Sequence, residues 1–134
     1  RRLAELAAVI RVHDPYVDHW HELEHQDTYP AAGQSRARFF RNQEPVTAIR
    51  LEKDLPAALA GAAAVVLAVR HRQYRDLDPD WVVERVGGPC AIVDCFGVLS
   101  DAKIARYLSL GCEVRCLGRG HIARIMDDIK SRSE

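Results

Sequence analysis

Hydrophobic positions in the second half of the chain fall into short β-branched runs separated by stretches with helical spacing. The runs are Val46–Leu51, Ala64–Val69, Ala91–Asp94 and Glu113–Leu117, and Val9–His13 reads as another. Ala64–Val69 and Ala91–Asp94 are apolar on both faces, the pattern of central strands covered by helices above and below. Helix signals fill the intervals. Asp78 offers an N-cap side chain, Pro79 lacks an N–H where none is needed, and Gly87-Gly88-Pro89 ends that segment. Ser100 is expected to cap a helix over Asp101–Leu110, with Ile104, Ala105, Tyr107 and Leu108 on its apolar face and Gly111 as its stop. Asp54 and Gly61 bracket a shorter helix, and Ile122–Lys130 forms the last.

Strand starts lie about twenty residues apart, too much chain for hairpins, so consecutive strands are expected to run parallel through right-handed crossovers. The expected fold is α/β, a three-layer Rossmann-like sandwich with a parallel sheet of about five strands. Leu3–Ala8 reads as the tail of a helix, so the chain starts in mid-unit. An open βα sheet normally starts with a strand in its middle, and none precedes Leu3. The expectation is a domain fragment over 1–134 whose first strand is missing, leaving a central gap unless another segment fills it. An aromatic-rich insert at about 18–45 is too long for a plain connection.

Composition narrows the classes. The 134 residues are 48% hydrophobic and 28% charged, which fits one ordinary globular domain. Nineteen Lys and Arg balance nineteen Asp and Glu, so no basic field attracts nucleic acid or anionic lipid. The longest uncharged run, Leu55–Val69, is interrupted by Pro56 and Gly61 and falls short of the roughly 20 residues a bilayer span needs. Without a membrane span or a signal peptide at Arg1–Leu6, the expected location is cytoplasmic. Cys90, Cys95, Cys112 and Cys116 match neither usual zinc spacing, and are expected to pack as reduced thiols rather than in a metal site or disulfide.

Candidate chemistry lies in two places. His21-Glu22-Leu23-Glu24-His25 matches H-E-x-x-H, the helix-borne zinc motif of hydrolases. That site needs a buried helix face and a third ligand, whereas Glu, Leu and Glu separate these histidines. A solvated short helix without metal is the preferred reading. The strand ends are more coherent, because open parallel sheets bind ligands at the carboxyl ends of their strands. His13-Asp14-Pro15, Arg70-His71, Asp94-Cys95-Phe96-Gly97 and Gly118-Arg119-Gly120-His121 stand at those positions. Glycines around Arg119 just before a helix suit a phosphate or carboxylate. Arg70 and His71 occupy the neighbouring strand end, and Asp94 and Gly97 are expected to shape the loop between. A thiol–imidazole pair at Cys95 is not favoured, and no catalytic residue is assigned. No G-x-G-x-x-G follows any run, so a dinucleotide fingerprint is absent. As an alternative role, Trp20, Tyr29, Phe39 and Phe40 of the insert could cover a protein partner.

Taken in order, Val-His-Asp-Pro-Tyr-Val (12–17), Ala-Val-Val-Leu-Ala-Val-Arg-His-Arg-Gln-Tyr (64–74), Ile-Val-Asp-Cys-Phe-Gly-Val-Leu (92–99) and Leu-Gly-Arg-Gly (117–120) resemble a known series. They are similar to the C-terminal, nucleotide-sugar-binding domain of the UDP-glucose/GDP-mannose dehydrogenase family. Those enzymes oxidise the sugar C6 alcohol to a carboxylate with two NAD. The form at His71 and Tyr74 leans toward the branch acting on UDP-N-acetylmannosamine and related amino sugars. The resemblance implies a UDP-sugar ligand held by Arg70, His71, Asp94, Gly97, Gly118, Arg119 and Gly120. It also implies NAD bound mainly by an N-terminal domain outside this chain, a homodimeric full-length enzyme, and a place in polysaccharide biosynthesis. The thioester-forming cysteine of the family lies upstream of this domain, so none of the four cysteines takes that role. In some members an arginine follows the strand aspartate, where Cys95-Phe96-Gly97 stands here.

Overall fold

The computed structural model describes residues 9–17, 51–118 and 120–132. The chain divides into two compact units, Arg1–Ala58 and Leu59–Glu134.

In the first unit β1 (Val12–His13) pairs in parallel with β2 (Leu51–Glu52), Val12 opposite Leu51 and His13 opposite Glu52. The strand expected over Val9–His13 is shorter, since Val9 and Ile10 lie outside the ladder and Val9 is exposed. Asp14 then turns the chain. Its carboxylate accepts the N–H groups of Tyr16 (2.8 Å) and Val17 (3.1 Å), the local bond that makes aspartate a turn former. The Lys53 ammonium donates to the carbonyls of Asp14 and Val17, tying that turn to the end of β2. Residues 18–50, which include most of the Val46–Leu51 run, the H-E-x-x-H segment and the aromatic insert, lie outside the described residues. Helix α1 (Leu55–Leu59) follows, with the Asp54 carboxylate accepting from Ala57 N–H at 3.2 Å as expected of its cap.

The second unit is built on a parallel sheet in the order β3 (Ala64–Leu67), β4 (Ala91–Asp94), β5 (Glu113–Cys116). Register is Ala64 to Ala91 to Glu113 at one end and Leu67 to Asp94 to Cys116 at the other. The described strands therefore form an α/β fold with parallel sheets of two and three strands. β4 is central and alternates half-buried and buried positions. β3 departs from the expectation of a central strand: it ends the three-stranded sheet among the described residues, and Ala64 and Val66 are exposed. Apolar composition sets what a strand can bury, and does not supply the layer that covers it. β3 also stops at Leu67 rather than Val69, because β4 turns away at Asp94 and leaves no ladder partner beyond it.

Helices α2 (Arg72–Arg75), α3 (Pro79–Val86), α4 (Asp101–Ser109) and α5 (Ile122–Arg132) complete this unit. The caps read from sequence are in place. The Asp78 carboxylate accepts from Asp80 N–H, Pro79 is the first helical residue, and Gly87 closes α3 in the left-handed region. The Ser100 hydroxyl accepts from Lys103 N–H and starts α4. The short α2 had no such signal and is held from a distance: the Lys103 ammonium donates to the carbonyls of Arg75, its last residue, and Leu77 just beyond, while Tyr74 packs inward. Across the helix surface the Arg106 guanidinium grips both oxygens of Asp80, tying α4 to α3. That contact holds the Asp80 carboxyl below its ordinary pKa, chiefly through the hydrogen bond.

The core of the second unit draws buried residues from β3, β4, β5, α2, α3 and α4. Val82 from α3, Ile92 from β4, Ile104 from α4 and Val114 from β5 are all at most 2% exposed. Ile104 is fully enclosed at 0%, so truncation there removes packing with no solvent to fill the void. Ile104→Ala is expected to lower the unfolding free energy by about 2–5 kcal/mol. Urea titration would show this as a lower midpoint at unchanged slope.

Candidate functional site

Parallel register puts the carboxyl ends of β3, β4 and β5 on one rim of the second unit, because Asp94 pairs with Leu67 on one side and Cys116 on the other. The ladder runs one step further, with Cys95 N–H donating to Leu67 C=O and Leu117 N–H to Asp94 C=O, both at 3.0 Å. Beyond that step the three segments leave the sheet as loops. Arg70 and His71 follow β3, Cys95 to Gly97 follow β4, and Leu117, Gly118 and Gly120 follow β5. Arg119, proposed from sequence as the anion ligand, lies outside the described residues.

Asp94 organises the middle loop. Its side chain is wholly buried, with 0% exposure. One carboxylate oxygen accepts from Phe96 N–H (3.1 Å) and Val98 N–H (3.0 Å), the other from Leu99 N–H (2.9 Å). Burial alone pushes this carboxyl up. The backbone donors of Leu99, Val98, Phe96 and Gly97 together outweigh it and hold the pKa below the ordinary carboxylate value. Asp94 therefore shapes the loop, and its acceptor capacity is spent inside it. Gly97 lies in this loop at φ 66°, a conformation that a β-carbon would strain. Gly118 has φ 73° and makes the corresponding turn after β5.

The flanking loops are anchored by helix starts. The His71 carbonyl accepts from Tyr74 and Arg75 N–H as α2 begins, and the His71 ring lies 5.6 Å from that of Tyr74. The His121 carbonyl accepts from Arg124 and Ile125 N–H at the start of α5, and its Nε2 stands 3.0 Å from an Asp101 carboxylate oxygen. His71 is half-buried and Arg70 exposed. Among the described residues Arg70 has no ion pair, whereas Arg72, Arg106 and Arg115 each have a carboxylate partner.

Sequence reasoning passed over the apolar members of this rim. Phe96 is 57% exposed, Leu117 68% and Val69 37%, so three large hydrophobic side chains face solvent within two positions of the strand ends. The available signal was an apolar residue placed after the last ladder position, beside a glycine, where it has no sheet face to cover. With the exposed Arg70 guanidinium and glycine turns beside them, these groups can bind and orient an anionic ligand that also has a flat apolar part. No group of three or more His, Cys, Asp or Glu suited to a metal occurs among the described residues. None of their helices is long and apolar enough to cross a membrane.

Fold and rim together define a class, the parallel βα domains that meet their ligands at the carboxyl ends of the strands. The chain belongs to the UDP-glucose/GDP-mannose dehydrogenase family, whose UDP binding domain matches residues 1–101. β5 and the Gly118–Gly120 turn lie beyond the matched residues. Among solved structures, NDP-N-acetyl-D-galactosaminuronic acid dehydrogenase from Methanosarcina mazei is similar in fold, with a TM-score of 0.63 at 21% identity. The similarity covers 91% of this chain and 20% of that one. No curated protein matches the sequence.

The Asp94 geometry carries a stability consequence with a definite sign. The unfolded chain protonates this carboxyl near its ordinary value of 3.8, the folded chain only at lower pH. The contribution is therefore complete above that value and is lost as pH falls through the folded pKa. Asp94→Asn is expected to cost roughly 2–3 kcal/mol at neutral pH, the scale of a charge-assisted hydrogen bond lost from a buried acceptor. The variant should also lack this acid-dependent component. Denaturant titrations of both proteins across that acid range would check the two effects together.

Proposed function

We propose that the rim of the second unit holds the UDP portion of a nucleotide sugar. In this reading the chain is the UDP-binding part of an NAD-dependent dehydrogenase that oxidises the sugar C6 alcohol to a carboxylate. The observation that carries the proposal is the register of β3, β4 and β5, which brings the exposed Arg70, with no ion pair among the described residues, the exposed Phe96 and the Gly118 turn to adjacent strand ends. Arg70 and Arg119 supply positive charge for the diphosphate, and Gly118 and Gly120 allow close approach of backbone N–H groups. His71, beside Arg70, borders the same ligand. Asp94 and Gly97 serve by fixing the middle loop, which sets the height at which Phe96 stands.

The chain's contribution is positioning rather than covalent chemistry. Cofactor binding is assigned mainly to other parts of the enzyme. The amino-sugar lean drawn from His71 and Tyr74 has the same standing as the rest of this proposal. The substrate belongs to the UDP-N-acetylmannosamine type or the UDP-glucose type, and contacts made outside this chain decide between them.

Calorimetric titration with UDP tests the assignment. Arg70→Ala and Arg119→Ala are each expected to weaken binding by about 1–3 kcal/mol, the range for losing a charge-assisted contact. Arg85→Ala, on α3 where the guanidinium lies over the Trp81 ring, should leave the affinity unchanged. If both rim arginines can be removed without effect on UDP affinity, the cradle proposed here is wrong.

A further inference from the structure

At the end of the sheet opposite the rim, two thiols face each other. The pairing of Ala91 with Glu113 is extended one step by Glu113 N–H donating to Cys90 C=O at 3.2 Å. Cys90 and Cys112 are the residues opposed at that next position. Side chains opposed across a parallel pair point to the same face. Neighbouring strands lie roughly 4.7–4.9 Å apart, within the roughly 4.4–6.8 Å between α-carbons that a disulfide spans. Both thiols are free and buried, at 7% and 5% exposure. Tyr107 of α4 is near enough to feel both sulfurs, and its carbonyl accepts from Cys112 N–H at 3.0 Å.

We propose that Cys90 and Cys112 form a latent cross-strand disulfide, an oxidation site that staples the starts of β4 and β5. Cys95 and Cys116 do not match this geometry, because the register partner of Cys116 is Asp94. Burial, followed by the neighbouring Cys112, pushes the Cys90 thiol up to about 11, so Cys90 stays in the thiol form near neutrality until an oxidant reaches it. Hydrogen peroxide is small enough for a site this enclosed. One sulfur, as its thiolate, attacks a peroxide oxygen, the O–O bond breaks and hydroxide leaves, giving a sulfenic acid. The second thiolate then attacks that sulfur, the S–O bond breaks and the S–S bond forms. The two protons released by the thiols end in water, so two thiols and one peroxide give one disulfide and two waters. The closed loop contains β4, the Asp94 loop and α4, so the staple constrains the segment that carries the middle of the rim.

The test uses the folded chain and its Cys95→Ser/Cys116→Ser variant, which keeps only the buried pair. Each is treated with hydrogen peroxide, blocked with an alkylating reagent and mapped by mass spectrometry without reduction. The expected product is one cross-linked species joining the Cys90 and Cys112 peptides, lighter by two hydrogens and reversed by dithiothreitol, in both proteins. Two alkylated thiols at these positions after treatment would overturn the proposal. So would cross-links confined to Cys95 or Cys116, or a Cys90–Cys112 link that appears only after denaturation.

Discussion

A carboxylate buried without a cation partner is costly unless donors surround it, and Asp94 meets that condition with backbone alone. The bonds to Phe96, Val98 and Leu99 bend the chain back on itself directly after β4. That bend sends Phe96 outward and turns Val98 and Leu99 into the core, where they are 5% and 2% exposed. One residue later Ser100 caps α4, whose Ile104 and Tyr107 pack beneath. A single side chain thus links the central strand, the rim loop and the following helix. The loop's exposed and buried halves follow from which of its N–H groups point at that carboxylate.

Parallel pairing does the rest by giving the sheet two unlike ends. At the carboxyl end, chain leaving β3, β4 and β5 carries charged, glycine and apolar residues whose backbone groups have run out of ladder partners. At the amino end, chain entering β4 and β5 carries two small buried thiols. An antiparallel sheet would have mixed these sets on each edge. The segregation is a property of topology, and it is why a binding rim and an enclosed pair of thiols coexist in so small a unit.

What could be read in advance follows the range over which each determinant acts. The helix starts at Asp78-Pro79 and Ser100, and strands β4 and β5, depend on neighbours a few residues away, and they stand where the pattern placed them. Helix α2 escaped because its support comes from Lys103, far along the chain. Residue type also could not show how Asp94 spends its oxygens: an aspartate at a strand end serves equally well as a ligand or as a loop anchor until its donors are counted. Phe96 stands in the strand-end loop and Leu117 at the end of a strand run, and only the end of the ladder reveals that no sheet face remains for them. The glycine turn at Gly118 was visible from composition because its conformation is one that few other residues adopt.

The distribution of charge sharpens the case for a ligand on this rim. Several of the strongly polar side chains of the second unit are engaged in holding it together: Asp80 with Arg106, Lys103 with two carbonyls, Asp94 with its loop, and His121 with Asp101. Such partners satisfy one another and leave little field for a ligand. Arg70 differs, standing exposed at a strand end with no ion pair among the described residues, close in register to apolar groups left uncovered. A folded domain has no internal use for that combination. A ligand with an anionic linker and a flat, weakly polar ring system would satisfy both parts at once, and a nucleoside diphosphate has that composition.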